Sequence, residues 1–336
     1  MKKLFISFLA VAAIAACSKS EVAYEASAEI GFAPVKGNVT KASGLSGTLA
    51  KTQELGVWAY WDNDGAAGTT VSNTNAANFS DTYLDNALFV NVNETNKSWG
   101  APTGKSYPWP VNGSLIFAGY TTPGDNVLTT GTAAGNVKYD RDSDVMTFTG
   151  YENTNEFDLC WFARTAKSYN NRVGGEAIEV GLKHALTWVS VAVCAEGSAI
   201  GWKVTSMKLN NTASKGTATC SGSTGKATWG ALTTAEKSIY TGEHTLTAGT
   251  TSDNKTTGDE LTNNILIPSD NVTLTVNYDF LVNGQTKSDS KTVTLNTTAW
   301  ESGKHYTYTL VFKSNEILVS PSYDTWGTSD QTVTVE

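Results

Sequence analysis

The sequence is poor in the residue types on which most catalytic and metal sites depend. Among its 336 residues there are only three histidines and four cysteines. His184 lies in an apolar strand-like run, His244 in a polar loop and His305 beside a Gly-Lys turn, so no pair has the spacing of metal ligands. We therefore expect no catalytic residues, no metal, no cofactor and no enzymatic activity.

Charge is also scarce, since only 17% of the residues are charged and the formal net charge is −8. Removal of an N-terminal segment that holds Lys2 and Lys3 would make the chain still more acidic. An acidic surface repels phosphate backbones and anionic lipids. We therefore exclude nucleic acid as a partner.

Apolar runs long enough to span a membrane are absent after the first residues, which read MKKLFISFLAVAAIAAC. The basic residues Lys2 and Lys3 precede a short apolar core and a small-residue box that ends at Cys17. This arrangement predicts a lipoprotein signal in residues 1–17, with acyl chains, palmitate among them, added at Cys17. Those chains would hold the mature protein on a membrane without a transmembrane helix. The alternative is a chance cysteine after an ordinary signal peptide.

With Cys17 acylated, three cysteines remain, and an odd number cannot form a complete disulfide framework. Cys160 and Cys194 lie in apolar strand-like runs, which favours buried free thiols. One disulfide among Cys160, Cys194 and Cys220 stays open as an alternative.

Leucine, glutamate, lysine and arginine are scarce, whereas threonine, serine, asparagine, glycine and valine dominate. This composition predicts an all-β protein with few short helices. The mature chain is longer than a domain with a single hydrophobic core usually is. We expect two tandem β-sandwich domains of transthyretin-like or Greek-key topology, over residues 18–170 and 171–336, with a polar boundary loop at 167–175.

A strict alternation of apolar and polar residues follows the signal. Ala28, Ile30 and Phe32 lie on one face and glutamates and serines on the other, which predicts a half-buried strand over residues 28–35. A Gly/Ser/Thr-rich stretch with Lys36 and Lys41 comes next and is expected to form an exposed loop.

Ten tryptophans invite a sugar-binding interpretation, because aromatic rings stack on sugars. Most lie within strand-like apolar runs, where large aromatic residues fill a sandwich core. Trp99 and Trp109 are flanked by glycine and proline, and they are the two candidates for a sugar platform. A glycan-binding lipoprotein is therefore an alternative function, and a glycoside hydrolase ranks well behind it.

Four features carry a resemblance to a known family, and together they span the chain. They are the box ending at Cys17; Glu29-Ile-Gly-Phe32 followed by Val39-Thr-Lys-Ala42; Leu182-Lys-His-Ala-Leu186; and NILIP, then Trp300-x-x-Gly303-Lys-x-Tyr306-x-Tyr308, then Trp326. In this order they resemble the fimbrillin-like family, or type V pilins, which are lipoprotein-derived fimbrial subunits of Gram-negative gut and oral bacteria.

The resemblance implies an outer membrane lipoprotein precursor that a trypsin-like Arg/Lys-specific protease trims and that then joins a cell-surface fimbrium serving adhesion. By position, cleavage after Lys41 would leave Ala42 as the new N-terminus and release the lipid together with strand 28–35. The vacated groove would accept a donor strand from a neighbouring pilin subunit in a head-to-tail polymer. The donor candidate is residues 328–336, with Gln331, Val333 and Val335 on one face.

Three alternatives remain open. Family members carry arginine where this chain has Lys41, so Lys36 or Lys51 is another possible cleavage site. A chain that is never cut would stay lipid-anchored as a base or accessory subunit, and a tip subunit is a further option. The C-terminal segment would in one interpretation be an ordinary terminal strand of its own domain.

Overall fold

The structure is a computed structural model that describes most of the chain after residue 23. The described residues are 24–34, 53–62, 79–93, 98–110, 113–123, 126–153, 157–168, 177–199, 201–252, 255–314, 316–326 and 333–334.

The first half of the chain contributes strands that are mostly rich in aromatic and β-branched residues, as half-buried pleated surfaces require. They are β1 (Tyr24–Glu29), β2 (Phe32–Pro34), β3 (Gln53–Asp62), β4 (Asp81–Asn93), β5 (Ser98–Gly100), β6 (Pro108–Pro110), β7 (Ser114–Pro123), β8 (Val137–Asp140), β9 (Val145–Glu152) and β10 (Cys160–Ser168).

The second half contributes further strands and one short 3₁₀ helix at Gly197–Ala199. The strands are β11 (Ile178–Val180), β12 (Lys183–His184), β13 (Thr187–Ala195), β14 (Lys203–Ser221), β15 (Lys226–Thr245), β16 (Thr250–Ser252), β17 (Lys255–Thr257), β18 (Asp259–Leu266), β19 (Thr273–Val282), β20 (Gln285–Thr294), β21 (Lys304–Phe312), β22 (Ile317–Thr325) and β23 (Val333–Thr334).

Three large sheets organise the described residues. An eight-stranded sheet has the order β11-β2-β5-β4-β3-β7-β10-β12, a five-stranded sheet the order β18-β13-β21-β22-β23, and a six-stranded sheet the order β20-β19-β14-β9-β8 with β15 also paired to β14. Most neighbours are antiparallel, but β2 is parallel to β11 and β13 is parallel to β21. The predicted all-β, sandwich-type fold is confirmed.

The hydrophobic core has three parts. One lies between the five-stranded sheet and the β14, β19 and β20 end of the six-stranded sheet. A second fills the inner face of the eight-stranded sheet. The third joins the opposite face of that sheet to β8, β9 and the end of β14. Because β3 borders two of these parts, nearly every residue along it is buried, and a simple alternation is absent there.

Strand β14 belongs to both halves of the chain. Its first part, from Lys203 to Asn210, pairs with β19, and its last part, from Lys215 to Ser221, pairs with β9. In addition, β11 and β12 lie in the eight-stranded sheet, although they follow the predicted boundary at residues 170 and 171. The division into domains 18–170 and 171–336 stays a prediction.

The hairpin between β19 and β20 has the turn that its sequence predicts. Asn283 and Gly284 have φ angles of 51° and 75°, and Val282 pairs with Gln285 across the turn. Positive φ at both central residues is the type I′ geometry, which Asn-Gly adopts with little strain. In the part of the chain that the structure describes, no helix has the length and apolarity to cross a membrane.

Candidate functional site

Strand β2 is hydrogen-bonded on both sides within the eight-stranded sheet. Phe32 pairs with Trp99 of β5 on one side and, in parallel register, with Ile178 of β11 on the other. Just before the strand, the Ile30 amide donates to the Tyr107 carbonyl at 2.8 Å. This N-terminal strand is therefore an interior member of the sheet.

The side chains of Ile30 and Phe32 fill an apolar groove beneath the strand. Their exposed fractions are 1% and 0%. The Phe32 ring contacts Phe89, Phe117 and Phe162, with centroids 4.9, 5.4 and 6.0 Å away. We call the surface formed by these three rings, between β5 and β11, the β2 groove. Without β2 it would present apolar rings and two rows of unpaired backbone groups.

The predicted strand over residues 28–35 is divided in the structure. Ala28 lies near the end of β1, which pairs with β6, and the chain then passes through Ile30 and Gly31 into β2. Glu29 holds this junction, because its carboxylate accepts a hydrogen bond from the Tyr107 amide at 2.6 Å. The divided course allows one short segment to pair with two different sheets.

The residues predicted for processing lie outside the described residues. They are the acylation site Cys17, the cleavage site Lys41 with Ala42, and the alternative sites Lys36 and Lys51. Their roles stay predictions.

The C-terminal segment is described only at β23. In this single chain the backbone of Val333 and Thr334 pairs antiparallel with Tyr323 and Ser322 of β22, at the edge of the five-stranded sheet. Gln331 and Val335 lie outside the described residues. The donor-strand role stays a prediction.

The structure does not support the two tryptophans predicted as sugar platforms. Trp99 and Trp109 are exposed by only 6% and 2%. The Trp99 indole nitrogen donates to the Gln53 carbonyl at 2.8 Å, and the Trp109 ring packs edge-on against Phe117. Both rings belong to the core, so neither presents a face on which a sugar could stack.

Cys160 and Cys194 are buried free thiols, as predicted, and Cys220 is a third, so no disulfide joins them. Burial raises the pKa of the Cys220 thiol, and burial next to Asp158 raises that of Cys160 well above the ordinary value. Both thiols are therefore protonated at neutral pH.

Each histidine lies beside a carboxylate. His244 Nε2 is 3.1 Å from Asp259, whereas His305 contacts Asp324 and the buried Ser190 hydroxyl. His184 lies beside both Asp158 and Cys160, and this trio is the group that could hold a metal ion among the described residues. No sequence motif indicates this trio, because more than twenty residues separate His184 from the other two.

The sheets and the β2 groove define a β-sandwich protein whose N-terminal strand completes a sheet. A family model described as fimbrillin-like matches residues 40–326. The chain therefore belongs to the fimbrillin-like family, as its sequence motifs predicted.

Solved structures share the fold at low sequence identity. A fimbrial protein from Bacteroides vulgatus is 18% identical, with a TM-score of 0.54 over 89% of this chain and 99% of its own. Proposed cell adhesion proteins from Bacteroides uniformis and Bacteroides ovatus have a TM-score of 0.52 each, with identities of 18% and 17%. They cover 89% and 92% of this chain, and 98% and 100% of their own. No curated protein matches the chain.

Proposed function

We propose that this chain is a structural subunit of a cell-surface fimbrium that is exported as an outer membrane lipoprotein, matured by proteolysis and polymerised by donor-strand exchange. Membership of the fimbrillin-like family supports the fimbrial role. It also favours a structural protein over an enzyme, and we propose no catalytic activity.

The observation that carries the proposal is the position of β2. This strand is buried in the sheet, and the next described strand, β3, begins only at Gln53. The intervening sequence holds Lys36, Lys41 and Lys51, where an Arg/Lys-specific protease would cut. After such a cut, non-covalent contacts alone would hold the N-terminal strand.

The strength of those contacts suits a strand that leaves and is replaced. Burying a large apolar side chain contributes about 1.5–3 kcal/mol, so Ile30 and Phe32 together contribute about 3–6 kcal/mol. That is enough to hold β2 in the intact precursor. It is also small enough that a longer strand with more pockets filled would displace it.

We propose that the donor strand is residues 328–336 of a neighbouring subunit. Gln331, Val333 and Val335 alternate with threonines, which matches a groove that accepts every second side chain. The contact would be heterologous and would not close, so it would produce a filament. To act as donor, this segment would give up the pairing of Val333 and Thr334 with β22 of its own chain.

The test is intact mass and N-terminal sequencing of the protein recovered from the surface of its native host. A chain beginning at Ala42 supports cleavage after Lys41 and strand release. Lys41→Ala should then block maturation, whereas Lys36→Ala and Lys51→Ala serve as matched controls. A chain that still begins at acylated Cys17 would instead indicate a permanently anchored base or accessory subunit.

Polymerisation tests the donor strand separately. A chain that ends at Trp326 should mature but remain monomeric, and a double Val333→Asp, Val335→Asp variant should behave in the same way. Thr332→Asp is the control, because this residue lies on the opposite face of the segment. Normal polymers from the truncated chain would exclude residues 328–336 as the donor.

A further inference from the structure

Three side chains with metal-binding atoms converge at the end of the eight-stranded sheet. Cys160 of β10 and His184 of β12 are directly paired across the two strands, and Asp158 comes two residues before Cys160. His184 Nδ1 lies 2.9 and 3.1 Å from the two carboxylate oxygens of Asp158 and 3.4 Å from the Cys160 sulfur. One oxygen, one nitrogen and one sulfur atom thus lie within 4.8 Å of one another.

The surroundings hold the three groups in place. The His184 ring stacks on Trp326 with a centroid distance of 3.9 Å and an interplanar angle of 6°, which fixes the direction of Nδ1. Thr121 Oγ1 accepts a hydrogen bond from the Cys160 amide at 2.7 Å and donates one to the Asp158 carbonyl at 3.1 Å. The side chains of His184 and Asp158 are only 7% and 11% exposed.

We propose that Asp158, Cys160 and His184 bind a thiophilic divalent cation of the zinc class. A mixed oxygen, nitrogen and sulfur donor set suits Zn²⁺ and excludes the hard cations Mg²⁺ and Ca²⁺, which take oxygen ligands. Three protein ligands leave a fourth tetrahedral position for water. One carboxylate and one thiolate balance the two positive charges of the ion.

The spacing of the ligand atoms is close to what such an ion requires. With bonds of about 2.0–2.3 Å, the edges of a tetrahedral site between these atoms measure roughly 3.3–3.6 Å. The observed separations from Nδ1 are 2.9 Å to the nearer carboxylate oxygen and 3.4 Å to sulfur. The carboxylate oxygen and the sulfur lie within 4.8 Å of each other, so side-chain shifts of up to about 1 Å would admit the ion.

Binding exchanges protons for the metal ion and involves no oxidation. The sulfur–hydrogen bond of Cys160 breaks, a sulfur–metal bond forms, and the thiol proton goes to water. Any proton that His184 Nδ1 shares with Asp158 is released in the same way, so that the nitrogen lone pair can bind the ion.

The experiment uses the full chain after treatment with a chelator. Titration with Co²⁺ should give one equivalent of a species with a near-ultraviolet thiolate-to-cobalt charge-transfer band, and Zn²⁺ should displace it. Cys160→Ser should abolish the band, and His184→Gln should weaken binding by at least about tenfold. Cys220→Ser is the matched control, because it removes another buried thiol and should leave binding unchanged.

Two results would overturn the site. One is a folded chain that binds neither Co²⁺ nor Zn²⁺, and the other is a thiolate band that persists in Cys160→Ser. If that variant fails to fold, cadmium-113 NMR of the unaltered chain decides the matter. A cadmium-113 chemical shift typical of a site with one sulfur ligand supports the proposal, and a chemical shift typical of oxygen ligands alone contradicts it.

Discussion

Substitution of Phe32 by alanine tests whether β2 is an integral part of the packed sheet. Phe32 is fully buried and its ring touches three other phenylalanines at 4.9–6.0 Å. A buried Phe→Ala change costs about 3–5 kcal/mol from lost transfer energy and the cavity left behind. Because three favourable aromatic pairs are lost as well, we expect a value in the upper part of that range.

The assay is urea unfolding of the full chain, monitored by tryptophan fluorescence. Trp99 pairs with Phe32 and reports on this region. The urea concentration at the midpoint of unfolding should fall, while the slope of the free energy of unfolding against urea concentration stays the same. Ala33→Ser on the same strand is the control and should cost less than about 1 kcal/mol. A loss below about 1 kcal/mol for Phe32→Ala would refute the argument that β2 completes the core and that its removal creates a demand for another strand.

Three further predictions concern other parts of the molecule. Gly258→Ala should lower the melting temperature markedly, because the new Cβ would lie 2.3 Å from a backbone oxygen of β13. Gly181→Ala is the control: its Cβ would have no atom within 4 Å, and the melting temperature should stay unchanged. Burial raises the pKa of Tyr308 to about 12, so the folded chain keeps a proton that the unfolded chain loses above pH 10. Tyr308 should therefore contribute a fall of up to about 1.4 kcal/mol per pH unit to the free energy of unfolding between pH 10 and 12, in addition to the other buried tyrosines. Tyr308→Phe should remove this contribution in denaturation measured across the range. Cys220 should resist iodoacetamide at pH 8 in the native chain and react once urea unfolds it, because its buried thiol has a raised pKa; rapid modification of the native chain, read by mass spectrometry, would contradict its burial.

The sequence predicted elements whose signal is local. Composition indicated an all-β protein, alternation located the N-terminal strand, and Asn283-Gly284 marked a hairpin that the structure contains. These features succeed because propensity, alternation and turn chemistry act over a few neighbouring residues.

Features that depend on distant pairing could not be predicted. The alternation of strand β4 is broken near Asn86, where φ is 49° and the register with β3 shifts. Strands β8 and β9 join a sheet built mainly from the second half of the chain. A local pattern states which face of a strand is apolar, but it does not state which strand lies beside it.

The candidate sites show the same limit. Glycine and proline beside Trp99 and Trp109 made these rings candidates for a sugar platform, but those neighbours lie within the short strands β5 and β6, and both rings are buried. Conversely, Asp158, Cys160 and His184 become neighbours only through the pairing of β10 with β12. Such a trio has no spacing that a motif could describe.

The continuous course of β14 has a mechanical consequence. At about 3.3 Å per residue, its 19 residues extend over at most roughly 60 Å, with an irregularity at Asn211, where φ is 61°. Strand β15 lies along one side, and β19 and then β9 lie along the other. A force along this strand would load those hydrogen bonds in shear and all at once, whereas a force across it would break them one after another. A molecule pulled along this direction would therefore resist extension through its backbone ladder, before the side-chain packing between its sheets is strained.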